Sequence, residues 1–344
     1  MQKKGIMESS KQRVVKTLEF DHPDRIPTQL WQLPWAELHY SEQLKTIRTE
    51  FPDDLIFVPD ITVKRVKTVG NEYEIGEYID EWGCVFENRQ QGIIGEVKKP
   101  LLNTWDDLER VRPPAEFLSL KVEEINNFCR ENRDKFILSP CCARPFERIQ
   151  FLRGSENIYI DLYERRNNFD KLLKEIHEFN CQRLQAWSST DVDALFIMDD
   201  WGAQNSLLIS PDLWREIFKP LYLEYVEIAR NGNKYIFMHS DGYILDIFPD
   251  LIEIGINALN SQIFAMGIER LNAYKEKITF WGEIDRQNIL PNYKKEEVVN
   301  IVKEIFNMLY GNGGIIGQCE FGPGAKPENV YAVFETWRTI LKSN

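Results

Sequence analysis

The feature that most constrains this chain is a pattern repeated eight times: a short apolar run ending in polar or acidic residues, followed by a helix-length amphipathic segment. The runs are IPTQLW (26–31), LIFVPD (55–60), FILSPCC (136–142), ALFIMDD (194–200), YIFMHSD (235–241), ALNSQ (258–262), ITFWGEID (278–285) and GIIGQCE (314–320). Eight strands alternating with helices between residues 26 and 320 predict an α/β fold of the (β/α)8 barrel type.

The intervening segments carry helix signals. Ser210-Pro211 is an N-cap followed by proline at the first helical position, after which Leu213, Ile217, Leu221, Tyr225 and Ile228 line one face and Gly232 stops the helix. From Asn292 to Tyr310 the pattern recurs through Val298, Ile301, Ile305 and Met308, ending at Gly311. No solenoid-period repeat, low-complexity run or linker divides the chain, so residues 1–344 are expected to form a single domain. The exception to the alternation is 63–99, rich in Val, Tyr, Gly and charge, which reads as β-hairpins inserted after the second strand, an excursion spanning about 62–100. Leaving from a strand's C-terminal end, it is expected to shape the mouth of the barrel.

Catalytic sites of such barrels lie at the C-terminal strand ends. Those ends carry Asp60, the stretch 141–144, Asp199, Asp200, His239, Asp241, Gln262, Glu283, Asp285, Cys319 and Glu320. His239 and Asp241, two residues apart, share a strand face. Imidazole, thiolate and carboxylate all ligate zinc, and a catalytic zinc takes three protein ligands with one position open. His239, Asp241, Glu283 and Cys319 are therefore the expected metal ligands, against the plainer reading of a satisfied polar histidine and an ordinary buried cysteine. Asp199 and Asp200 are candidates for acid/base work or substrate anchoring, the alternative being that they cap the following helix, in which case an amide would serve almost as well. Gln204, Gln262, Asp60 and Trp31 are the substrate-binding candidates. Asp24-Arg25 reads as an ion pair or cap at the barrel bottom, and Cys141-Cys142 as packing.

Composition then excludes whole classes. With 42 basic against 54 acidic residues the net charge is −12, and Lys and Arg occur in no run beyond two, which argues against a nucleic-acid partner. No stretch approaches the ~18 apolar residues of a spanning helix, so no membrane role is expected. The N-terminal MQKKGIMESSKQR lacks an apolar segment, and six cysteines have no framework spacing, so the expected location is cytoplasmic. GNGGIIG (311–317) leads into a strand rather than opening a helix and is read as a turn, not a phosphate loop. There is no G-x-S-x-G elbow, Walker lysine or Cys-x-x-Cys pair, so nucleotide hydrolysis and hydride transfer lose their usual support.

Seven segments make the chain resemble the uroporphyrinogen decarboxylase superfamily, which includes the cobalamin-linked methyltransferases: HPDRIPTQLW (22–31), YIDEWGCVFEN (78–88), FLRGSENIYIDL (151–162), DDWGAQNSLLISPDLWREIFKP (199–220), MHSDGYILDIFPDLIEIGINALNSQ (238–262), ITFWGEIDRQNILP (278–291) and QCEFGPGAKPENV (318–330). The resemblance implies a (β/α)8 barrel. Decarboxylases of the family carry an arginine-rich segment near the N-terminus that binds a tetrapyrrole's carboxylates, and the equivalent stretch here, QLWQLP (29–34), has no arginine. The methyltransferase branch holds zinc through His-x-Cys-Gly on the fifth strand and a cysteine on the eighth. By position His239 matches the histidine and Cys319 the distal cysteine, while Asp241 replaces the middle cysteine and Glu283 is a candidate replacement ligand. The resemblance thus implies a zinc-dependent methyltransferase moving methyl between a small methylated compound, a corrinoid protein and a thiol or pterin. The corrinoid would come from a separate partner protein, since no Asp-x-His-x-x-Gly motif occurs. A uroporphyrinogen decarboxylase and a non-catalytic binding barrel are the alternatives, and the sequence allows a homo-oligomer.

Overall fold

The computed structural model describes residues 8–164 and 167–342. Eight parallel strands form a nearly closed barrel: β1 (Thr28–Gln32), β2 (Leu55–Phe57), β6 (Phe136–Cys141), β7 (Ala194–Met198), β8 (Tyr235–Ser240), β9 (Ala258–Ser261), β10 (Thr279–Trp281) and β11 (Ile315–Phe321). Their order around the wall is β1-β11-β10-β9-β8-β7-β6-β2. At the β1–β2 seam the Asp54 N–H donates to the Thr28 carbonyl and the Thr28 N–H to the Asp54 carboxylate, both at 2.8 Å. All eight expected strands are present, so the α/β barrel reading holds. Two stop three or more residues before their runs end: β2 ends at Phe57, and β10 ends where Gly282 takes a φ of +75°.

Strand alternation sorts the wall into two cores. Leu55, Phe136, Leu138, Ala194, Phe196, Phe237, Ala258, Trp281 and Ile316 fill the lumen, closed from below by Val14 and Leu18 of the helix Ser10–Leu18. Ile56, Ile137, Leu195, Met238, Leu259, Phe280, Ile315 and Cys319 face the surrounding helices. At the bottom, Arg13 pairs with Asp24 and Asp54 while Arg25 also pairs with Asp54, so the Asp24-Arg25 pair is structural as expected.

The expected helix after Ser210 is divided. Ser210 caps it, accepting the Leu213 N–H at 3.2 Å, but the helix Pro211–Ile217 ends at Phe218 and a second, Lys219–Asn231, begins with Pro220 in its first turn. Proline cannot donate into a continuous helix, and the buried face becomes Trp214, Ile217, Tyr222, Tyr225, Val226 and Ala229. The later helix runs Lys295–Leu309. Among the described residues no helix is long and apolar enough to cross a membrane.

The inserted excursion is a three-stranded antiparallel sheet, β3 (Gly76–Ile79), β4 (Val85–Asn88) and β5 (Glu96–Lys99). It is pinned to the helix Pro145–Arg153 by Arg148, which pairs with Asp80 and Glu81 and lies 5.0 Å over the Trp82 ring. The sheet borders a cavity of about 790 Å³ that reaches Cys141, Arg144, Glu147 and Met198 at the barrel mouth.

Candidate functional site

The mouth is organised around His239. Its position on β8 follows the lumen-facing parity of Phe237, and it is 6% exposed. Asn260 on β9 donates its amide hydrogen to the Trp281 carbonyl, so the Asn260 Oδ1, 2.6 Å from His239 Nδ1, must accept. Nδ1 therefore carries a hydrogen and Nε2 is turned to the mouth. Trp31 lies 5.4 Å from the imidazole and crosses Trp281 edge-on at 5.2 Å. Both indoles donate to Gln29 Oε1, at 3.1 and 3.0 Å, which fixes an aromatic floor beneath the site.

Two loops bring carboxylates to Nε2. Asp200 Oδ1 lies 3.5 Å away and Asp241 Oδ1 3.6 Å. The loops are stacked through glycines: a Cβ on Gly202 would sit 2.3 Å from the Gly242 carbonyl carbon, and Gly242 has φ +78° with the Gly202 oxygen 2.2 Å from its own would-be Cβ. Only glycine at both positions permits this approach. The Gly202 N–H then donates to the Asp241 carbonyl at 3.0 Å, and the Asp241 N–H to Asp200 Oδ1 at 3.0 Å.

Arg286 ties the rim together. It donates to Asp241 Oδ2 at 2.6 Å and to Glu283 Oε1 at 2.7 Å, with Glu320 at 3.7 Å. Burial pushes the Glu283 carboxyl up to about 7 although Arg286 pulls it down, with Asp241 and Glu320 adding to the rise. Glu283, 2% exposed, leaves Oε2 without a partner, and Asp241 leaves Oδ1 without one. Glu147 is likewise raised, chiefly by burial against the opposing pull of Arg144, with Asp200 contributing. Burial lowers and the carboxylates of Asp200 and Asp241 raise the His239 imidazole, and the balance is upward.

The structure separates residues that are adjacent in sequence. Asp200 faces the lumen, whereas Asp199 turns outward and accepts Phe146 N–H at 2.9 Å, Glu147 N–H at 2.7 Å and Tyr222 O–H at 2.6 Å. Asp199 thus caps the helix Pro145–Arg153, a helix earlier in sequence than the one expected, and does not face His239. Burial raises its carboxyl to about 8 while these donors hold it down. Cys319 likewise is fully buried in the outer layer with Ile315 and Phe321, and burial drives its thiol far up. It joins neither group of metal-capable side chains among the described residues. The expectation of Cys319 as a ligand is corrected by parity: Glu320, one residue on, takes the lumen side. Gln262 donates nothing to the metal-capable group but accepts the Gly242 N–H at 3.2 Å. It lines, with Gln204, Asp241, Glu283 and Arg286, a cavity of about 650 Å³. Asp60 borders the other cavity, held by Arg183 at 3.0 Å.

Asn260, Arg286 and Glu147 were missed by sequence reasoning. Asn260 follows from the alternation that begins at Ala258, and Arg286 stands one turn beyond Glu283, but nothing local marks Glu147.

Asp200, His239 and Asp241 can hold a metal ion. Separations of 3.5 and 3.6 Å are too long for good hydrogen bonds. They match the edge of about 3.3–3.6 Å between ligands of a tetrahedral zinc at bond lengths of about 2.0–2.2 Å. With Asp241 Oδ1 unpartnered and Nε2 free, the donor set fits a divalent ion, through one nitrogen and two oxygens and without sulfur.

Comparison with known proteins follows the same lines. A solved methyltransferase from Methanosarcina mazei superposes with a TM-score of 0.66 at 16% identity, covering 97% of this chain and 99% of its own, a likeness of fold. Xylanase 10B from Thermotoga petrophila RKU-1 covers 98% and 100% at 11% identity with a TM-score of 0.45. A search of curated proteins gives no match. The sequence matches the family model for uroporphyrinogen decarboxylase (URO-D) over residues 79–340, which takes in most of the barrel and the mouth residues Glu147, Asp200, His239, Asp241, Glu283, Arg286 and Glu320. The chain belongs to the uroporphyrinogen decarboxylase family.

Proposed function

We propose that this member of the family is a methyltransferase that moves a methyl group between a small methylated compound and the corrinoid of a separate protein, with a thiol or pterin as onward acceptor, using zinc held by His239, Asp200 and Asp241. The observation that carries this reading is the spacing at His239 Nε2: two carboxylate oxygens at the separation expected between ligands of one ion, one of them unpartnered, around an imidazole whose other nitrogen is fixed by Asn260. Bound there, the ion would polarise the leaving heteroatom of the methyl donor or hold an acceptor thiol as thiolate.

The chain's own groups do the rest. Arg286 holds the Asp241 carboxylate from its far oxygen, leaving the near one for the site. Gln204 and Gln262, bordering the cavity of about 650 Å³, orient a small polar substrate there. Trp31 and Trp281 keep water from the floor, and Asp200, half-buried beside Nε2, presents Oδ1 to the ion.

The decarboxylase alternative needs free cations for a polycarboxylate. Arg286 already serves three carboxylates, and Arg144, Arg148 and Arg183 are each paired with at least one. This favours the methyltransferase reading.

The test is anaerobic. Zinc-loaded protein is expected to demethylate methylcobalamin in the presence of thiols, or to methylate cob(I)alamin from methylated donors, with the activity lost in His239→Ala. Metal-independent conversion of uroporphyrinogen to its tetracarboxylate, with no cobalt chemistry, would overturn the proposal.

A further inference from the structure

A second cluster lies on the outside of the barrel, remote from the mouth. His177 and Cys181 stand one turn apart on the helix Asn167–Ser188, and Glu224 faces them from the helix Lys219–Asn231. His177 Nε2 lies 2.8 Å from Glu224 Oε2 and 3.7 Å from Cys181 Sγ. One donor atom from each residue lies within 4.8 Å of the others. We propose that His177, Cys181 and Glu224 form a second zinc site that clamps these two helices, its fourth position open to water.

The geometry carries the assignment. Zinc bonds of about 2.05 Å to nitrogen and about 2.3 Å to sulfur set a tetrahedral N···S edge of about 3.6 Å, close to the separation here. The N···O edge of about 3.3 Å is reached by a half-ångström swing of Glu224, whose side chain is 53% exposed and free to make it. The surroundings are those of an oriented ligand. Nδ1 of His177 meets the buried Tyr225 hydroxyl at 3.1 Å, and Asn180 Nδ2 donates to the same oxygen at 3.3 Å. By turning its hydroxyl, Tyr225 accepts from Nδ1–H and so leaves the Nε2 lone pair for the ion. On binding, the Cys181 thiol loses its proton to solvent and the sulfur–metal bond forms, with no change of oxidation state.

The site bears on the mouth through the same helix. Tyr222, two residues before Glu224, donates to Asp199, which caps the helix Pro145–Arg153. A clamp at Glu224 would therefore stiffen the wall behind Asp200.

Cobalt(II) separates this site from the mouth, because the mouth as described has no sulfur ligand. Titrating cobalt(II) into metal-free full-length protein is expected to produce a thiolate-to-cobalt charge-transfer band. That band should persist in Cys319→Ala and His239→Ala and vanish in Cys181→Ser. Glu224→Gln, at an exposed position, should keep the fold and weaken the band-forming site by about tenfold or more, on the scale of losing a supporting contact to a metal ligand. Absence of the band in the wild-type chain, its survival in Cys181→Ser, or unchanged affinity in Glu224→Gln would overturn the proposal. Loss of cobalamin activity without these changes would count only against the reading of the mouth.

Discussion

The inner and outer faces of the barrel wall differ most where they are closest in sequence. Asp200 and Glu320 face the lumen among His239, Asp241 and Arg286, while their neighbours Asp199 and Cys319 face the helices, one capping a helix and the other filling a core. In each pair the two side chains are consecutive on the chain, so which of them faces His239 is a matter of one residue of register. Chemical character alone does not choose: a carboxylate occurs on both faces, and the only strand-end thiol on β11 points away from the imidazole.

The largest effect expected from this contrast is on Asp200. Asp200→Asn should remain folded yet lose metal and slow cobalamin-linked methyl transfer by ~100-fold or more, at or beyond the ~10–100-fold typical of losing a mere supporting contact to a ligand. Activity within a few-fold of wild type would remove Asp200 from the site. Asp199→Asn is expected to fail in the other way. Three donors converge on the carboxylate, so whichever way the amide turns, its NH2 meets a donor. Each buried donor left unsatisfied costs about 1–3 kcal/mol, so thermal melting should drop by several degrees while activity per folded, metal-loaded molecule changes little. An Asp199→Asn protein that melts normally but is inactive would reverse the assignment of the two faces.

On the eighth strand the comparison is sharper still. Cys319→Ala should keep its metal content and turnover within about twofold, losing only about 1 kcal/mol of packing. Glu320→Gln should reduce turnover several-fold by loosening Arg286. Metal analysis beside a kinetic assay reads both, and loss of metal in Cys319→Ala would restore sulfur to the mouth.

The smallest effect lies at the β1–β2 seam, where Asp53 and Asp54 form another adjacent pair. Asp54 is held below the usual carboxylate range: burial opposes this, but Arg25 and the hydrogen bonds at the carboxylate outweigh it. Among the described residues the Asp53 carboxylate has no such ion pair, and burial lifts it to about 6 against the pull of the Leu30 N–H, Arg48 and Lys135. A raised carboxyl binds its proton more tightly folded than unfolded, so stability falls as pH climbs from about 4 to about 6 and is flat above. Asp53→Asn keeps the acceptor for Leu30 and should stabilise the chain by about 1 kcal/mol at pH 8, with the gain gone near pH 4. A gain independent of pH would mean that charge burial is not its source.

Much of this was legible beforehand. The eight apolar runs mark the eight strands because burial on both faces favours apolar residues until the chain emerges at the mouth, and the insertion at 63–99 announces itself by breaking that rhythm. His239 with Asp241 was legible because a two-residue spacing keeps two side chains on one face. The pairing of Asp200 with them was half legible, since an Asp-Asp step guarantees one inward carboxylate without saying which. Cys319 was misread because resemblance to a zinc-binding pattern was followed across a strand whose register, fixed by Ile316 in the lumen, turns that thiol outward.

By itself, then, the sequence determined the strand count, the end of the barrel that carries the polar residues and the imidazole at its centre, because these depend on hydrophobic period and strand polarity, which are local. Only the tertiary structure decided which of two neighbouring carboxylates meets His239, that Arg286 unites Asp241, Glu283 and Glu320, and that two glycines lock the β7 and β8 loops together. Those outcomes depend on how far each strand is rotated and sheared against its neighbours when the sheet closes, a property of all eight strands at once and of no single segment.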